Sequence, residues 1–432
     1  MFVSENLNVN SAGHLAVAGV DTVSLAKEYG TPLYVMDEAL IRQNCSRFVN
    51  SIKDNYNGGG LALYASKALS CKEIYRIVAS EGMGVDVVSG GELHTALSVG
   101  FEPQNICFHG NNKTENELEM ALNAKVGYIA VDNFEELERL NLLAGQLGKT
   151  AKIMFRIKPG VDAHTHEFVM TGQIDSKFGV ALETGEAFEI IRLASAMKNV
   201  EVTGVHCHIG SNIFDVDPFL LASERLLELI LKVKNELGIE IGTLNLGGGF
   251  GIKYLPEHDP VSFEEYMSRV SVTVKKFCKD NNLNMPFIMI EPGRSVVAGA
   301  GLTLYTVGSV KTIPGVRTYV SVDGGMTDNP RYALYKSEYD MALANKAGLP
   351  KTETVTVAGR CCESGDLLGE NISLQQAKTG DILTVFATGA YNYSMSSNYN
   401  RLPKPAMVMI KDGESRVVIR RESYDDLIRN DL

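Results

Sequence analysis

No apolar run in the 432-residue sequence approaches the roughly 18 residues that a membrane-spanning helix needs. The stretch Met1 to Asn10 has neither a basic start nor an apolar core, so no secretory leader is expected and a cytoplasmic location is. Basic residues are the minority. The 41 Lys and Arg stand against 52 Asp and Glu, giving a net charge of −11, whereas a nucleic-acid surface needs a clustered excess of Lys and Arg. A small-molecule substrate is expected instead. Cysteine is sparse as well: seven residues, an odd number spread through a long chain, make no disulfide framework and predict reduced thiols.

What remains is the composition of an ordinary globular protein, 45% hydrophobic and 22% charged, in a chain long enough for two domains. From about residue 60 to 291 one theme recurs eight times: a short apolar β-type run, a polar or Gly-bearing loop, then a helical stretch. The runs begin at Leu61, Gly84, Asn105, Gly127, Lys152, Glu201, Thr243 and Phe287. The segments between them, such as PFLLASERLLELILKVKNELG, repeat apolar residues at helical spacing. Strand and helix in alternation imply parallel pairing, and eight units close a (β/α)8 TIM barrel; an open doubly wound sheet shares the alternation and is the other architecture the pattern allows. After Glu291 the runs LTLYTVGSVKTI, TYVSVDGGM, DILTVFATGA and PAMVMIKDGESRVVIRR are short and Gly-divided, which predicts a β-rich second domain. The expected division is an α/β barrel over 33–292 and a β-rich domain made of 1–32 and 293–432.

The chemistry-bearing residues fall at the carboxyl ends of the predicted strands, where barrel active sites lie. Lys67 follows the first strand, Asp86 and Ser89-Gly90-Gly91-Glu92 the second, His109 the third, Arg156 the fifth. His206-Cys207-His208 ends the sixth, Gly247-Gly248-Gly249 the seventh and Glu291-Pro292-Gly293-Arg294 the eighth. Lys67 lies in the apolar run YASKA, a costly place for an ammonium unless it has a task. A Schiff base is such a task, since burial favours the neutral, nucleophilic amine; a lysine snorkelling from a strand end is the alternative. The triple glycine could bring backbone N–H groups onto a phosphate, although it lacks the lysine and hydroxyl residue of a P-loop. Glu291 could keep a pyridine nitrogen protonated while Arg294 takes a phosphate or carboxylate, or the two could form a local ion pair. Two histidines around Cys207 suggest zinc, but no third and fourth ligand stands at suitable spacing, and His164-Thr165-His166 would join only through tertiary coincidence. His208 reads better as a flat ring against a cofactor. Of the adjacent Cys361 and Cys362, one could be a working thiol, because a disulfide between neighbours is strained.

Together the segments YASKA, SGGEL, the HGNNK run, FRIKPGVDAHTHEFVMTGQIDSKFG, HCHIGSN, NLGGGFG, EPGRS, DGGMTDNPRYALY, CESGD and GAYNY closely resemble, in order and over nearly the whole chain, the alanine-racemase-like pyridoxal-phosphate enzymes, and within them the diaminopimelate decarboxylase family. The resemblance implies a barrel with a β-rich carboxyl-terminal domain, pyridoxal 5'-phosphate as cofactor, no catalytic metal, and a homodimer with shared active sites. It implies that Lys67 binds the cofactor covalently, His208 stacks on its ring and Glu291 meets its nitrogen. Asp86, Ser211, Gly247, Gly248, Gly249, Gly293, Arg294 and Tyr391 would line the rest of the cofactor site. Arg294, Arg331, Tyr335 and Tyr391 would hold substrate, with the distal carboxylate on Arg294, Arg331 and Tyr335. From the other subunit Glu363 would meet the distal amino group, and Cys362 would donate the proton. Cys361 is a departure, since a non-thiol residue is expected beside the active thiol.

The implied reaction is decarboxylation of meso-diaminopimelate to lysine. Decarboxylases of ornithine, arginine or carboxynorspermidine share the fold, but a monocarboxylate with a terminal ammonium would favour acids where Arg331 and Tyr335 stand. Racemases of the class place an arginine opposite the ring nitrogen, against which Glu291 argues. A non-catalytic relative should have lost Lys67 or the glycine loop, and a zinc hydrolase would rest on the paired histidines alone.

Overall fold

The computed structural model describes residues 2–161 and 175–432; His164, Thr165 and His166 lie outside them. Two compact units are present, one formed by 45–251 and 260–293, the other by 1–44, 252–259 and 294–432.

In the first unit eight parallel strands close on themselves: β1 (Gly60–Ala65), β2 (Gly84–Val87), β3 (Ile106–Phe108), β4 (Tyr128–Val131), β5 (Ala151–Lys158), β6 (Val200–His206), β7 (Thr243–Asn245) and β8 (Phe287–Ile290). Each pairs with the next, and β8 returns to β1 through Ile288, Met289 and Ile290 against Gly60, Leu61 and Ala62. The closed ring selects the barrel over the open sheet. Leu63, Cys107, Ala130, Met154 and Met289 fill its interior, the side-chain layer that makes such a barrel a packed core rather than a pore. Local sequence sets the helices around it. Asp217–Leu237 has Pro in its first turn and ends on Gly238 at φ 67°, and it buries Phe219, Ala222, Leu226, Leu229, Ile230 and Val233 along one face. Ser89, Asn133 and Ser262 cap the helices that follow them, each accepting a backbone N–H three residues on.

The second unit is β-rich. Its large sheet runs, in spatial order, Leu367–Leu374, Glu353–Ala358, Arg317–Val322, Gly301–Ile313, Leu33–Asp37, Ala406–Lys411 and Glu414–Ile419. The strand Leu33–Asp37 lies inside this sheet, antiparallel to Gly301–Ile313 and parallel to Ala406–Lys411. The division therefore falls at 44/45 rather than at 32/33. An apolar run such as LYVMD suits either sheet equally, and its partners lie far away in sequence. The segment 252–259 also leaves the barrel unit, and Tyr254 enters the β-rich core. All seven cysteines are free thiols, and no described helix is long and apolar enough to cross a membrane.

Candidate active site

Lys67 leaves β1 on the single 3-10 turn Ser66–Ala68. Ser66 and Ala68 are buried while Lys67 between them is exposed, which corrects the expectation of a buried amine. The apolar strand stops at Ala65, and a tight three-residue turn points its middle side chain away from its neighbours. The amine nevertheless faces polar company, close enough to Asp86, Glu92 and His208 to act on the charge of each. Glu92, which the sequence placed near the site without a role, fixes this turn: its Oε2 accepts Ser66 Oγ at 2.7 Å and the Val88 N–H at 2.8 Å.

Glu291 follows β8 and is 6% exposed. His109 Nε2 lies 2.8 Å from its Oε1, Asn245 Nδ2 donates to the same oxygen at 2.7 Å, and His206 Nε2 stands 3.1 Å from Oε2. Burial by itself would raise the Glu291 pKa; His109 and His206 reverse this and hold the carboxyl well below its usual range. For His109, burial pulls downward, but Cys107, Glu291 and Asp86 outweigh it and raise the imidazole well above its ordinary value. The Cys107 thiol is itself pushed up by burial and stays protonated near neutral pH, so Glu291 is the anion that holds the imidazolium, with Asp86 adding to it only once its own proton is lost. His206 is driven down to about 4 by burial and is a neutral donor to Glu291; its buried Nδ1 has no partner among the described residues. Asp86, near the end of β2, is raised to about 7 by burial against the pull of His109, and its Oδ1 also has no hydrogen-bond partner among the described residues.

His208 lies just past β6. Its Nδ1 accepts the Gly248 N–H at 3.2 Å, which leaves the proton on Nε2. Burial, then Lys67 and Arg156, press its pKa well below normal, so the ring is neutral and flat. Gly247 donates its N–H to Asn245 Oδ1 at 2.9 Å. Two of the three glycine N–H groups are thus committed to side chains of the barrel mouth, not free for a phosphate as the sequence suggested. Close packing is what demands glycine here: a Cβ on Gly247 would stand 2.3 Å from the Cys207 carbonyl oxygen, and one on Gly248 2.1 Å from that of Glu291. The Gly249 carbonyl accepts the Ile213 N–H at 2.9 Å, tying the glycine loop to the loop that carries Ser211. Gly293 packs on Ala65, whose N–H donates to the Pro292 carbonyl at 3.0 Å, so the Lys67 turn rests against the chain leaving Glu291. Arg156, near the end of β5, stacks over Phe178 at 4.3 Å.

His206 and His208 turn to different partners, the first to Glu291 and the second to the Gly248 N–H. Cys107, His109 and Glu291 do place ligand atoms within 4.8 Å of one another, but His109 and Glu291 already satisfy each other as an ion pair. A cavity of about 280 Å³ at the opposite end of the strands, near Gln104, Lys125 and Lys152, contains none of these residues.

The β-rich unit holds a second cluster. Arg294 is buried, donates to Tyr254 Oη at 2.5 Å and lies 4.7 Å over the Tyr391 ring; Arg331 stands 5.4 Å over Tyr391 and 5.6 Å over Tyr335. Burial would lower the Arg294 pKa, and the phenol groups of Tyr254 and Tyr391 more than restore it. Tyr391 adopts φ 63°, a left-handed backbone costly for a bulky residue and found where function over-determines conformation. Sequence reasoning found Arg294, Arg331, Tyr335 and Tyr391 and missed Tyr254, as it missed Asn245. An isolated tyrosine or asparagine carries no local signal. Cys362 and Glu363 lie exposed on a turn of the same unit, where Glu363 Oε1 accepts the Gly365 N–H at 3.1 Å.

A parallel barrel whose mouth sets a lysine, a neutral histidine and an ionised buried acid at the ends of its strands defines the class of cofactor-dependent barrel enzymes. Residues 39–298 match the family described as pyridoxal-dependent decarboxylase, pyridoxal binding domain, and the chain belongs to that family. Within it, the chain is 49% identical to the diaminopimelate decarboxylase of Bacillus methanolicus, over 98% of both sequences, and 47% identical to that of Bacillus subtilis, over 100% of this chain and 98% of the relative. The diaminopimelate decarboxylase of M. jannaschii, solved in complex with L-lysine, superposes with a TM-score of 0.93 at 37% identity, covering 100% of this chain and 99% of that one.

Proposed function

We propose that this protein decarboxylates meso-diaminopimelate to lysine and CO2 with pyridoxal 5'-phosphate, a reading supported by its relatives and by the state of Glu291. The barrel mouth fits the cofactor on its own chemistry. It offers an exposed primary amine, a neutral flat imidazole whose tautomer is pinned, a buried carboxyl held ionised, and two buried polar atoms, Asp86 Oδ1 and His206 Nδ1, without hydrogen-bond partners among the described residues.

Lys67 would hold the cofactor covalently, with His208 against its ring and Glu291 at its nitrogen; Asp86, Ser211, Gly247 to Gly249, Gly293, Arg294 and Tyr391 would complete its surroundings. When bound, pyridoxal phosphate supplies the electron sink that takes up the bonding pair as the Cα–carboxylate bond breaks. Glu291 is suited to hold a proton in place at a ring nitrogen, because His109, His206 and Asn245 keep it ionised and fixed. Arg294, Arg331 and Tyr335 would take the distal carboxylate, for which guanidinium groups framed by aromatic rings supply charge and direction. Glu363 would take the distal ammonium and Cys362 would return a proton to Cα, both reaching the partner's site in a homodimer. A cytoplasmic setting belongs to the same reading.

The observation that carries the proposal is the ionised Glu291 buried among two histidines and Asn245. The test is CO2 release from meso-diaminopimelate, ornithine and arginine by the holoenzyme. Diaminopimelate is expected to lead by at least about 100-fold in kcat/KM, since a site built to pair a charged group rejects a substrate without it. Equal or faster turnover of ornithine removes the specificity assignment.

A further inference from the structure

The helices that follow β2, β3 and β4 are Gly90–Leu97, Glu115–Ala124 and Phe134–Gln146, and each has a glutamate as its third residue: Glu92, Glu117 and Glu136. An acid there ordinarily reaches back to the backbone of its own cap. These three also reach the loop before. Glu92 Oε2 accepts the Val88 N–H of its own loop at 2.8 Å and, from the Lys67 turn, Ser66 Oγ at 2.7 Å. Glu117 Oε2 accepts the Thr114 N–H at 2.9 Å, while its Oε1 accepts at 2.8 Å the N–H of Gly90, which opens the Glu92 helix. Glu136 Oε2 accepts the Asp132 N–H at 3.2 Å, and its Oε1 lies 2.6 Å from Nζ of Lys113, the residue before Thr114. Lys113 is buried and donates in turn to the Gly110 and Ala130 carbonyls, both at 2.8 Å, so the loop leaving His109 is tied to β4. The contacts form one series from Ser66 to Ala130. Gly90 leaves room for it, since a Cβ there would stand 3.1 Å from Glu117 Cγ.

We propose that Glu117 and Glu136 are positioning residues for Lys67: with Glu92 they fasten the first four loops of the barrel mouth in series, so that helices that do not touch the amine decide where it stands. The inference rests on Lys67 as the residue that holds the cofactor. Among the described residues neither Glu117 nor Glu136 bonds to Lys67, and their influence passes through Gly90, Glu92 and Ser66. Capping alone needs only the bond each glutamate makes to its own loop. The second bond crosses from one strand–helix unit to the next, beyond the β1–β2 ladder, which ends at Ala65 and Asp86. Small displacements of a reacting group are costly, a shift of about 1 Å being worth up to about 100-fold in rate.

The test uses holoenzyme and reads, beside kcat and KM, the pH midpoint of the visible absorbance, which reports the Lys67 nitrogen joined to the cofactor. Glu117→Ala is expected to lower kcat at least about tenfold with KM within about threefold, and to move the midpoint by at least about 0.5 pH unit. Glu117→Gln, uncharged but with an amide oxygen that can still accept the Gly90 N–H, should recover most of both. The control is Glu265, the third residue of the helix Phe263–Asp280, exposed and paired with Arg269 of its own helix at 4.0 Å. Glu265→Ala should leave the midpoint unmoved and kcat within about twofold. Links in series are not additive, so Glu92→Ala with Glu117→Ala should cost no more than the costlier single variant, within about twofold. A folded Glu117→Ala protein whose midpoint and kcat move no more than those of Glu265→Ala overturns the proposal, as does a double variant whose loss is the product of the two single losses. Should Glu117→Ala fail to fold, Gly90→Pro removes the donor from the other side, at a first helical position where proline is tolerated. An unmoved midpoint there overturns the proposal equally. The assignment beneath it fails separately, if borohydride fixes the cofactor on a residue other than Lys67.

Discussion

At the carboxyl end of the barrel strands, charge is buried and cancelled. Glu291 meets His109, His206 and Asn245, each within 3.1 Å. In the β-rich unit, by contrast, the guanidinium groups of Arg294 and Arg331 are framed by the rings of Tyr254, Tyr335 and Tyr391. Aromatic faces stabilise a cation without neutralising it. The first arrangement fixes where protons sit; the second keeps positive charge available for an anion. One region is built for chemistry at a ring and the other for recognising a carboxylate, and that difference can be broken from either side.

The largest effect is expected at the chemical end. Lys67→Ala should lower CO2 release by at least about 10³-fold, because the residue supplies the covalent attachment rather than a single weak contact. Purified wild-type protein should absorb in the visible when loaded with cofactor, and borohydride reduction should fix the label on Lys67. Full activity in the alanine variant would show that the exposed amine on the Ser66–Ala68 turn is a surface lysine, and the barrel mouth would lose its claim.

A smaller effect is expected at the recognition end. Arg331→Met keeps most of the stem that packs beside Tyr335 and Tyr391 but removes the charge. The expected loss is about 30- to 1000-fold in kcat/KM for diaminopimelate, the range for deleting one partner of a charge-assisted pair. The visible absorbance of the bound cofactor should be unchanged. If the absorbance fell along with the activity, Arg331 would be serving the cofactor, and the separation of roles between the two clusters would collapse.

How much of this was readable from sequence follows the range of the interactions. All eight barrel strands were visible, because an apolar run bounded by Gly or polar residues is a local pattern. The placement of Leu33–Asp37 was not, since its membership is decided by pairing with Gly301–Ile313 and Ala406–Lys411, hundreds of residues away. Strand-end position marked Lys67, Asp86, His208 and Glu291 as a set. It could not show that Lys67 is exposed between two buried neighbours, nor that Gly247 and Gly248 spend their N–H groups on Asn245 and His208. Asn245, Glu92 and Tyr254 gain their roles only from neighbours that folding brings to them. The bond from the Cys361 backbone N–H to Asp366 likewise depends on a carboxylate threaded between Gly325 and Gly359, which spacing alone does not reveal.

The smallest expected effect is on stability and probes the cancelled charge of the barrel mouth directly. Asp86 is raised to about 7 in the folded protein, against an unfolded value near 3.9. Between those values the folded state keeps a proton that the unfolded state has released. Stability therefore declines as pH rises from about 4 to about 7 and levels off above, the reverse of a salt-bridged acid. Glu291, held low, contributes in the opposite sense and only at the acid edge, where its stabilisation is lost as pH falls below the unfolded carboxyl range. Asp86→Asn removes the first dependence and leaves the second. Between pH 5.5 and 6.5 wild-type cofactor-free protein should lose about 1 kcal/mol that the variant does not, measured as the difference in urea unfolding free energy. An identical slope in the two proteins would mean that Asp86 is ionised throughout, and that the mouth carries an uncompensated negative charge rather than a balanced network.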